Sequence, residues 1–363
     1  MQNPESISLT GKGIYDILKF NYIESRGIFS MKHIFVVNPA AGKGKKLPAV
    51  LGAITYACEE LNVDFEIYHT VTVGDGIRYV REKCEKNSGE VLRFYACGGD
   101  GTLYEVINGA VSYPNTEVAI IPTGTGNDFI KAFSSPEFFS DIKRQLLGKP
   151  EALDLIRYNG RYCINVLNIG FDCDVVQKVS EIKRSALVPS GLAYLFSVAN
   201  VFTRSFGTSF RVVIDDRETV EKEFTLMAVA GANYYGNGFL VAPTALLNDG
   251  YMDLCLVDKV TRTQFAKLIS LYKTGRHVDE NGISRYPFIR YQKCKKILVE
   301  SYQALGVCAD GEISPYKTVQ IEIQPKAISF SVPKGARCLS LRRTETDEAS
   351  SPFAPSIYTT KET

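Results

Sequence analysis

The sequence predicts an α/β, doubly wound N-terminal domain followed by a C-terminal antiparallel β-sandwich domain. Three observations carry that prediction. Between residues 31 and 130 a short apolar run, a glycine-rich loop and a helical pattern recur. Glycine loops at strand C-termini mark doubly wound sheets, whose ligands collect beyond the carboxyl ends of the strands. Past Pro150 the pattern becomes short apolar runs separated by turn residues, which fits a sandwich or barrel. At 363 residues the chain has room for both, at about 150 residues per domain.

Taken in order, residues 1–30 read as an N-terminal extension, and the patterned chain begins at Met31. A strand at 33–37 runs into Asn38-Pro39-Ala40-Ala41-Gly42-Lys43-Gly44, and 47–61 follows as a helix. The second unit is a strand at 64–70 and a helix at 74–86. The third is a compact apolar strand at 91–97, then Gly98-Gly99-Asp100-Gly101-Thr102 and a helix with Leu103, Val106, Ile107 and Ala110 on one face. Thr102 and Glu105 have capping-box spacing, which would start that helix at Thr102. A fourth strand, 117–121, enters Pro122-Thr123-Gly124-Thr125-Gly126-Asn127-Asp128. A helix over 138–147 and a boundary at Gly148-Lys149-Pro150 close the first domain, 31–150, with a strand near 327–340 returning to it. The second domain, 151–326, has strands at 162–169, 210–214, 224–230, 252–257, 297–300 and 319–323, and a helix at 262–272. Residues 341–363, rich in Ser, Thr, Pro and acids, read as a disordered tail.

Composition narrows the function. With 45% hydrophobic and 23% charged residues the chain is an ordinary globular protein. A net charge of +2 gives no mandate for nucleic acid, so any anionic surface it meets must be met by local patches. The run Lys293-Cys294-Lys295-Lys296 is one such patch, read either as a solvated loop or as a contact for anionic lipid headgroups. Nine cysteines are scattered, most of them in apolar runs and without a Cys-x-x-Cys pair, as reduced core residues of a cytoplasmic protein would be. His33, His69 and His277 are too dispersed for a metal cluster. No run of 18 apolar residues occurs; the nearest, 186–202, is interrupted and reads as a helix on a core or along a greasy pocket. No secretory signal is evident in the first 30 residues.

Each glycine loop alone is equally well a bare turn. The first is basic but lacks Walker A spacing. Together, three strand–loop–helix units bring backbone N–H groups and helix N-termini to one edge, where a polyphosphate binds. Asp100 cannot attract that phosphate itself. It needs a cation between them, and Mg²⁺ is the usual one.

Taken together the loops resemble the diacylglycerol kinase catalytic family, over about residues 31–334. Asn38, Pro39, Gly42, Lys43 and Gly44 look like its first phosphate loop. Gly98, Gly99, Asp100, Gly101 and Thr102 look like its signature, and Thr123, Gly124, Thr125, Gly126, Asn127 and Asp128 like its third loop. NAD kinases and phosphofructokinases share the signature turn and the same α/β lobe, so the discriminating set is the Asn-Pro loop, the Thr-Gly-Asn-Asp loop and the late Asp310-Gly311-Glu312. The resemblance implies a structural Mg²⁺ held by Asp249 and the carbonyls of Leu246 and Tyr251. It implies Glu312 as catalytic base, with Asp310 and Gly311 in the same turn on the nucleotide side. Tyr104 stands where the family commonly has Asn.

The implied activity is transfer of the γ-phosphoryl group of ATP to a lipid alcohol, diacylglycerol leading, with ATP and Mg²⁺ as cofactors. Lys43 would contact the phosphates, and Asp100 and Asp128 would organise the catalytic Mg²⁺. Asp154 is read either as a further member of that acidic set or as an exposed strand-end carboxylate. The lipid tails would lie in the apolar second domain, against 186–202, and the protein would touch the membrane peripherally from the cytoplasm. Exposed β-edges would permit a homodimer. The competing readings are a NAD or sugar kinase of the same superfamily and a non-catalytic ATP-binding module.

Overall fold

In a computed structural model, residues 31–87, 89–171, 173 and 207–339 are described. The expectations for 1–30, 186–202 and 341–363 lie outside these residues. The first lobe contains β1 (Met31–Val37), α1 (Leu47–Glu60), β2 (Phe65–His69), α2 (Asp75–Lys86), β3 (Val91–Gly98), α3 (Asp100–Ala110), β4 (Thr116–Pro122) and a short α4 (Ile142–Leu146). Its strands lie side by side in the order β4-β3-β1-β2, all parallel. The chain steps one way from β1 to β2 and the other way to β3. The ends of β1 and β3 therefore flank a topological switch point.

Alternation along the strands builds the two layers. Ile34 and Val36 of β1, Phe94 and Ala96 of β3, and Val118 and Ile120 of β4 face α2 and α3. Phe35, Val37, Tyr95, Cys97, Ala119 and Ile121 face α1 on the other side. With both faces covered, the strands read as continuous apolar runs.

The second lobe contains β5 (Lys149–Tyr158), β6 (Arg161–Cys163), β7 (Val166–Gly170), β8 (Thr208–Ile214), β9 (Glu218–Ala230), the small hairpin β10 (Tyr234–Tyr235) and β11 (Phe239–Leu240), β12 (Met252–Asp258), α5 (Arg262–Lys273), β13 (Ile289–Cys294), β14 (Lys296–Ala309) and β15 (Glu312–Val332). A Thr261/Gln264 capping box starts α5, which packs Phe265, Leu268 and Tyr272 onto the sheet. The lobes share one hydrogen-bonded sheet. β15 is the common member. It pairs with β14 along its first half, with β5 on the other edge, and at Phe330 runs parallel to β4 at Val118.

Several sequence expectations need correction. α3 begins at Asp100 behind Gly99, not at Thr102, and the capping box is absent because Glu105 reaches another helix. The expected helix over 138–147 is a 3₁₀ turn, Pro136–Ser140, and then α4, which Asp141 restarts by accepting the N–H of Arg144. Gly148-Lys149-Pro150 is not a linker, since β5 already pairs with β15 at Lys149 and Pro150. The strand expected at 162–169 is two strands, interrupted at 164–165 by side-chain hydrogen bonds described below. The lysine run at 293–296 joins β13 to β14. Cys294 within it is buried, Lys293 points into an ion-pair cluster and Lys296 pairs with Asp216. All nine cysteines are free thiols, eight of them buried. His33 is buried against the Tyr95 hydroxyl, and burial lowers its pKa to about 4.

Candidate active site

The three glycine loops meet at the switch point. Asn38 accepts the N–H of Ala40 and donates its amide to Thr102 Oγ1 at 3.2 Å, tying the first loop to α3. Gly98 O accepts the N–H groups of Thr123 (2.8 Å) and Gly124 (3.1 Å), joining the signature to the third loop. Two glycines are needed for this approach. Gly42, at φ +57°, sits where a Cβ would strike the Thr123 carbonyl. A Cβ on Gly124 would lie 2.6 Å from Gly99 Cα. Pro39, Lys43 and Gly44 belong to the first loop, with Lys43 itself at φ +60°. Thr125 and Gly126 lie on the third loop, where Asn127, at φ +51°, donates to Gly124 O at 3.0 Å.

Asp100 and Asp128 come together. Asp100 accepts the backbone N–H groups of Asp128 (3.0 Å) and Phe129 (3.2 Å), so it caps the 3₁₀ turn Phe129–Ala132. Asp128 is ion-paired to Lys131 and accepts the N–H of Asn237, in the β10–β11 hairpin, at 2.7 Å. Burial raises the pKa of Asp100; the backbone N–H of Asp128 opposes this, and the charge of Asp128 adds to it. A side chain at Gly126 would lie 3.4 Å from Asp100 Oδ2 and 3.9 Å from Asp128 Oδ2. The two carboxylates thus face a common space that no side chain fills. That space, with two hard oxygens and like charges, fits a cation such as Mg²⁺.

Glu312 arrives from the other lobe. Its Oε1 stands 4.0 Å from the point where a Cβ on Gly101 would be, against the first turn of α3. Partial burial in the crevice raises its pKa, the charge of Glu105 adds to this and Arg161 opposes it; solvent reaching the exposed carboxyl softens all three effects. Glu105 accepts the N–H groups of Gly74 (2.7 Å) and Gly76 (2.9 Å), so this anion is fixed at the start of α2.

Other expected site residues lie elsewhere. Asp154 accepts the N–H groups of Gly250 (2.6 Å) and Lys326 (2.7 Å), which groups it with the Asp249 loop rather than with Asp100 and Asp128; it is buried, not an exposed strand end. Asp249 accepts the N–H of Tyr251 at 3.0 Å and the ammonium of Lys293 at 2.9 Å. Lys293 also reaches Asp253 at 2.9 Å. Among the described residues no three His, Cys, Asp or Glu side chains form a metal cage. A cation here would rest on Asp249 and carbonyls such as those of Leu246 and Tyr251. The charge balance fits one, because Asp154, Asp249 and Asp253 outnumber Lys293 and Lys326; the charge of Asp249 adds to the burial that raises the Asp154 pKa, and Lys326 opposes it. Asp310 does not face the nucleotide loops. Its buried carboxylate accepts Cys163 Sγ–H and three backbone N–H groups of 164–166. Gly311 supplies only its φ of +94° to the same turn.

Sequence reasoning missed Lys131, Glu105 as a link to α2, and Asn237. Lys131 has a signal, being a cation three residues after Asp128. Asn237 has none that precedes the fold.

An α/β lobe with glycine loops at its switch point is thus faced by a carboxylate from the β-rich second lobe. The profile of the diacylglycerol kinase catalytic domain matches residues 32–158, and that of the YegS C-terminal NAD kinase beta sandwich-like domain matches 165–332. The chain is 30% identical over 282 residues to a diacylglycerol kinase of Staphylococcus saprophyticus, covering 76% of this chain and 87% of that one. It is 27% identical over 282 residues to a diacylglycerol kinase of Staphylococcus aureus, covering 76% and 84%. A diacylglycerol kinase structure from Bacillus anthracis superimposes with TM-score 0.61 at 23% identity, covering 82% of this chain and 96% of that one, and it shares the fold. The chain belongs to the diacylglycerol kinase catalytic family.

Proposed function

We propose that the protein is an ATP- and Mg²⁺-dependent lipid kinase that phosphorylates the hydroxyl of a membrane lipid alcohol, with diacylglycerol the first acceptor to test and phosphatidic acid its product. Family membership and the names of the relatives support a lipid acceptor. The observation that carries the reading is the Glu312 carboxyl, which the second lobe brings beside Gly101 of the signature loop.

In this reading the loop N–H groups, the α3 N-terminus and Lys43 hold the phosphates. Glu312 takes the proton of the acceptor hydroxyl as its oxygen bonds to the γ-phosphorus. The bond from that phosphorus to the β–γ bridging oxygen breaks, and ADP leaves. A divalent cation held by Asp100 and Asp128 would neutralise charge on the transferring group. Asp249, with the Leu246 and Tyr251 carbonyls, would hold a second, structural ion. The lipid is met at the bilayer surface, so membrane contact is peripheral; no described helix is long and apolar enough to cross a membrane.

The test is phosphate transfer from γ-³²P-ATP to diacylglycerol in mixed micelles. Label should appear in phosphatidic acid. Glu312→Gln should keep ATP binding and lose turnover by about 10²–10⁴-fold. Near-wild-type turnover in that variant removes Glu312 as base, and label entering NAD rather than lipid replaces the lipid acceptor.

A further inference from the structure

We propose that Asn108 and Asp310 form a positioning relay that fixes where Glu312 stands relative to the signature helix. Its kinetic consequence rests on the lipid-kinase reading, whereas its structural part does not.

The relay starts on α3, which begins at Asp100 and so carries the signature at its N-terminus. Two turns further on, the Asn108 side chain grips the backbone of Tyr162 at both ends. Its Oδ1 accepts Tyr162 N–H at 2.9 Å, and its Nδ2 donates to Tyr162 O at 2.9 Å. The same Nδ2 donates to Tyr104 O at 2.9 Å. A side-chain amide carries its acceptor oxygen and its donor nitrogen side by side in one plane, so it can clip one residue of a foreign strand as a neighbouring strand would. Tyr104 adds a second tie, since its hydroxyl lies 3.0 Å from that of Tyr158 in the same β5–β6 hairpin.

The residues after Tyr162 hold the base. Asp310 Oδ1 accepts Cys163 Sγ–H (3.0 Å) and the N–H groups of Asn165 (3.0 Å) and Val166 (3.2 Å), and Oδ2 accepts that of Ile164 (2.9 Å). Its own N–H donates to Val166 O at 3.1 Å. Asp310 and Gly311, at φ +49° and +94°, are the two-residue turn between β14 and β15, and Ala309 pairs directly with Glu312. Glu312 is therefore the first residue beyond a turn pinned by five hydrogen bonds to the segment that Asn108 clips. α3 sets the hairpin, the hairpin sets the turn, and the turn sets the base. A misplacement of about 1 Å at such a position costs about 10²-fold in rate.

The experiment compares Asn108→Ala, Asp310→Asn and the double variant in full-length protein. Turnover of each single variant should fall about 10²-fold, with the ATP dissociation constant within about twofold of wild type. The double variant should lose little beyond the worse single, because both break one chain of contacts. Loss of ATP affinity in Asp310→Asn with turnover retained would make Asp310 a nucleotide ligand and overturn the relay. So would wild-type turnover in either variant, or single losses that multiply in the double. Amide hydrogen exchange at 164–166 must also rise at least about tenfold in both singles, and unchanged exchange overturns the relay. If the wild-type chain phosphorylates no lipid, the functional reading fails while exchange still decides the relay. If Asp310→Asn does not fold, Gly311→Ala perturbs the turn through its φ with no atom within 4 Å of the new carbon. It must lower turnover with ATP affinity unchanged, and wild-type turnover overturns the relay.

Discussion

Two acidic clusters, one in each lobe, use similar parts for different ends. In the crevice, Asp100 and Asp128 are tied by backbone N–H groups and one lysine, Lys131, and still face the space over Gly126. At the sandwich rim, Asp253 accepts Thr244 Oγ1 (2.8 Å), the Tyr291 hydroxyl (2.7 Å) and the Lys293 ammonium (2.9 Å), and Lys293 also bonds Asp249 and Thr244 O. In the crevice pair the two carboxylates still meet at the point over Gly126, where no third side chain comes within 4 Å. Around Asp253 the partners are protein groups, as a permanent joint requires. Satisfaction of the carboxylate, rather than the number of acids, separates the two.

Breaking the joint gives the largest stability effect. Lys293→Met leaves Asp253, 1% exposed, without its cation. Removing one partner of a buried ion pair costs about 3–5 kcal/mol, and the partly exposed lysine puts this case toward the lower end. Denaturant unfolding should show that loss, while turnover per folded molecule stays near wild type. A variant as stable as wild type would show that Thr244 and Tyr291 hold Asp253 without help.

On the crevice side the comparison sharpens through pH. Glu312 must be ionised to take a proton, and partial burial with the Glu105 charge raises its pKa against the opposing pull of Arg161. The acidic limb of kcat/KM should therefore lie above the ordinary glutamate range and fall about tenfold per pH unit below it. Glu105→Gln removes the neighbouring anion and should move that limb to lower pH. An unmoved limb would mean that solvent screens the pair completely.

How much of this was legible in the sequence follows from the range of the forces involved. The parallel lobe could be read because each strand, loop and helix there is a local pattern, and α1, α2, β3 and β4 fall within a few residues of expectation. The loops of the site were legible for the same reason, since glycine at a fixed offset has a local cause. β5 was missed as a strand because Pro150 reads as punctuation, and only its partner β15, over 160 residues away, shows otherwise. The capping box failed because Glu105 found a better pair of N–H groups on α2. Asp310 looked like a nucleotide-side residue by its place next to Glu312. Its four donors come from residues 163–166, a contact that no spacing within the motif encodes.

The smallest effect concerns the second ion. Asp249 keeps 20% of its side chain exposed, unlike Asp253, so the rim cluster has one carboxylate that solvent and a cation can still reach. If Mg²⁺ binds there in the folded state only, ten times its dissociation constant stabilises the protein by about 1.4 kcal/mol. Thermal unfolding without nucleotide should then shift upward with added Mg²⁺ in wild type and not in Asp249→Ala. Lys293 makes the outcome informative, because an ammonium already neutralises part of the cluster. An equal shift in both proteins would place the ion elsewhere, with the Asp100–Asp128 pair the next site to vary. No shift in either would mean that Lys293 alone balances Asp249, and the rim would then be closed to metal as well as to exchange.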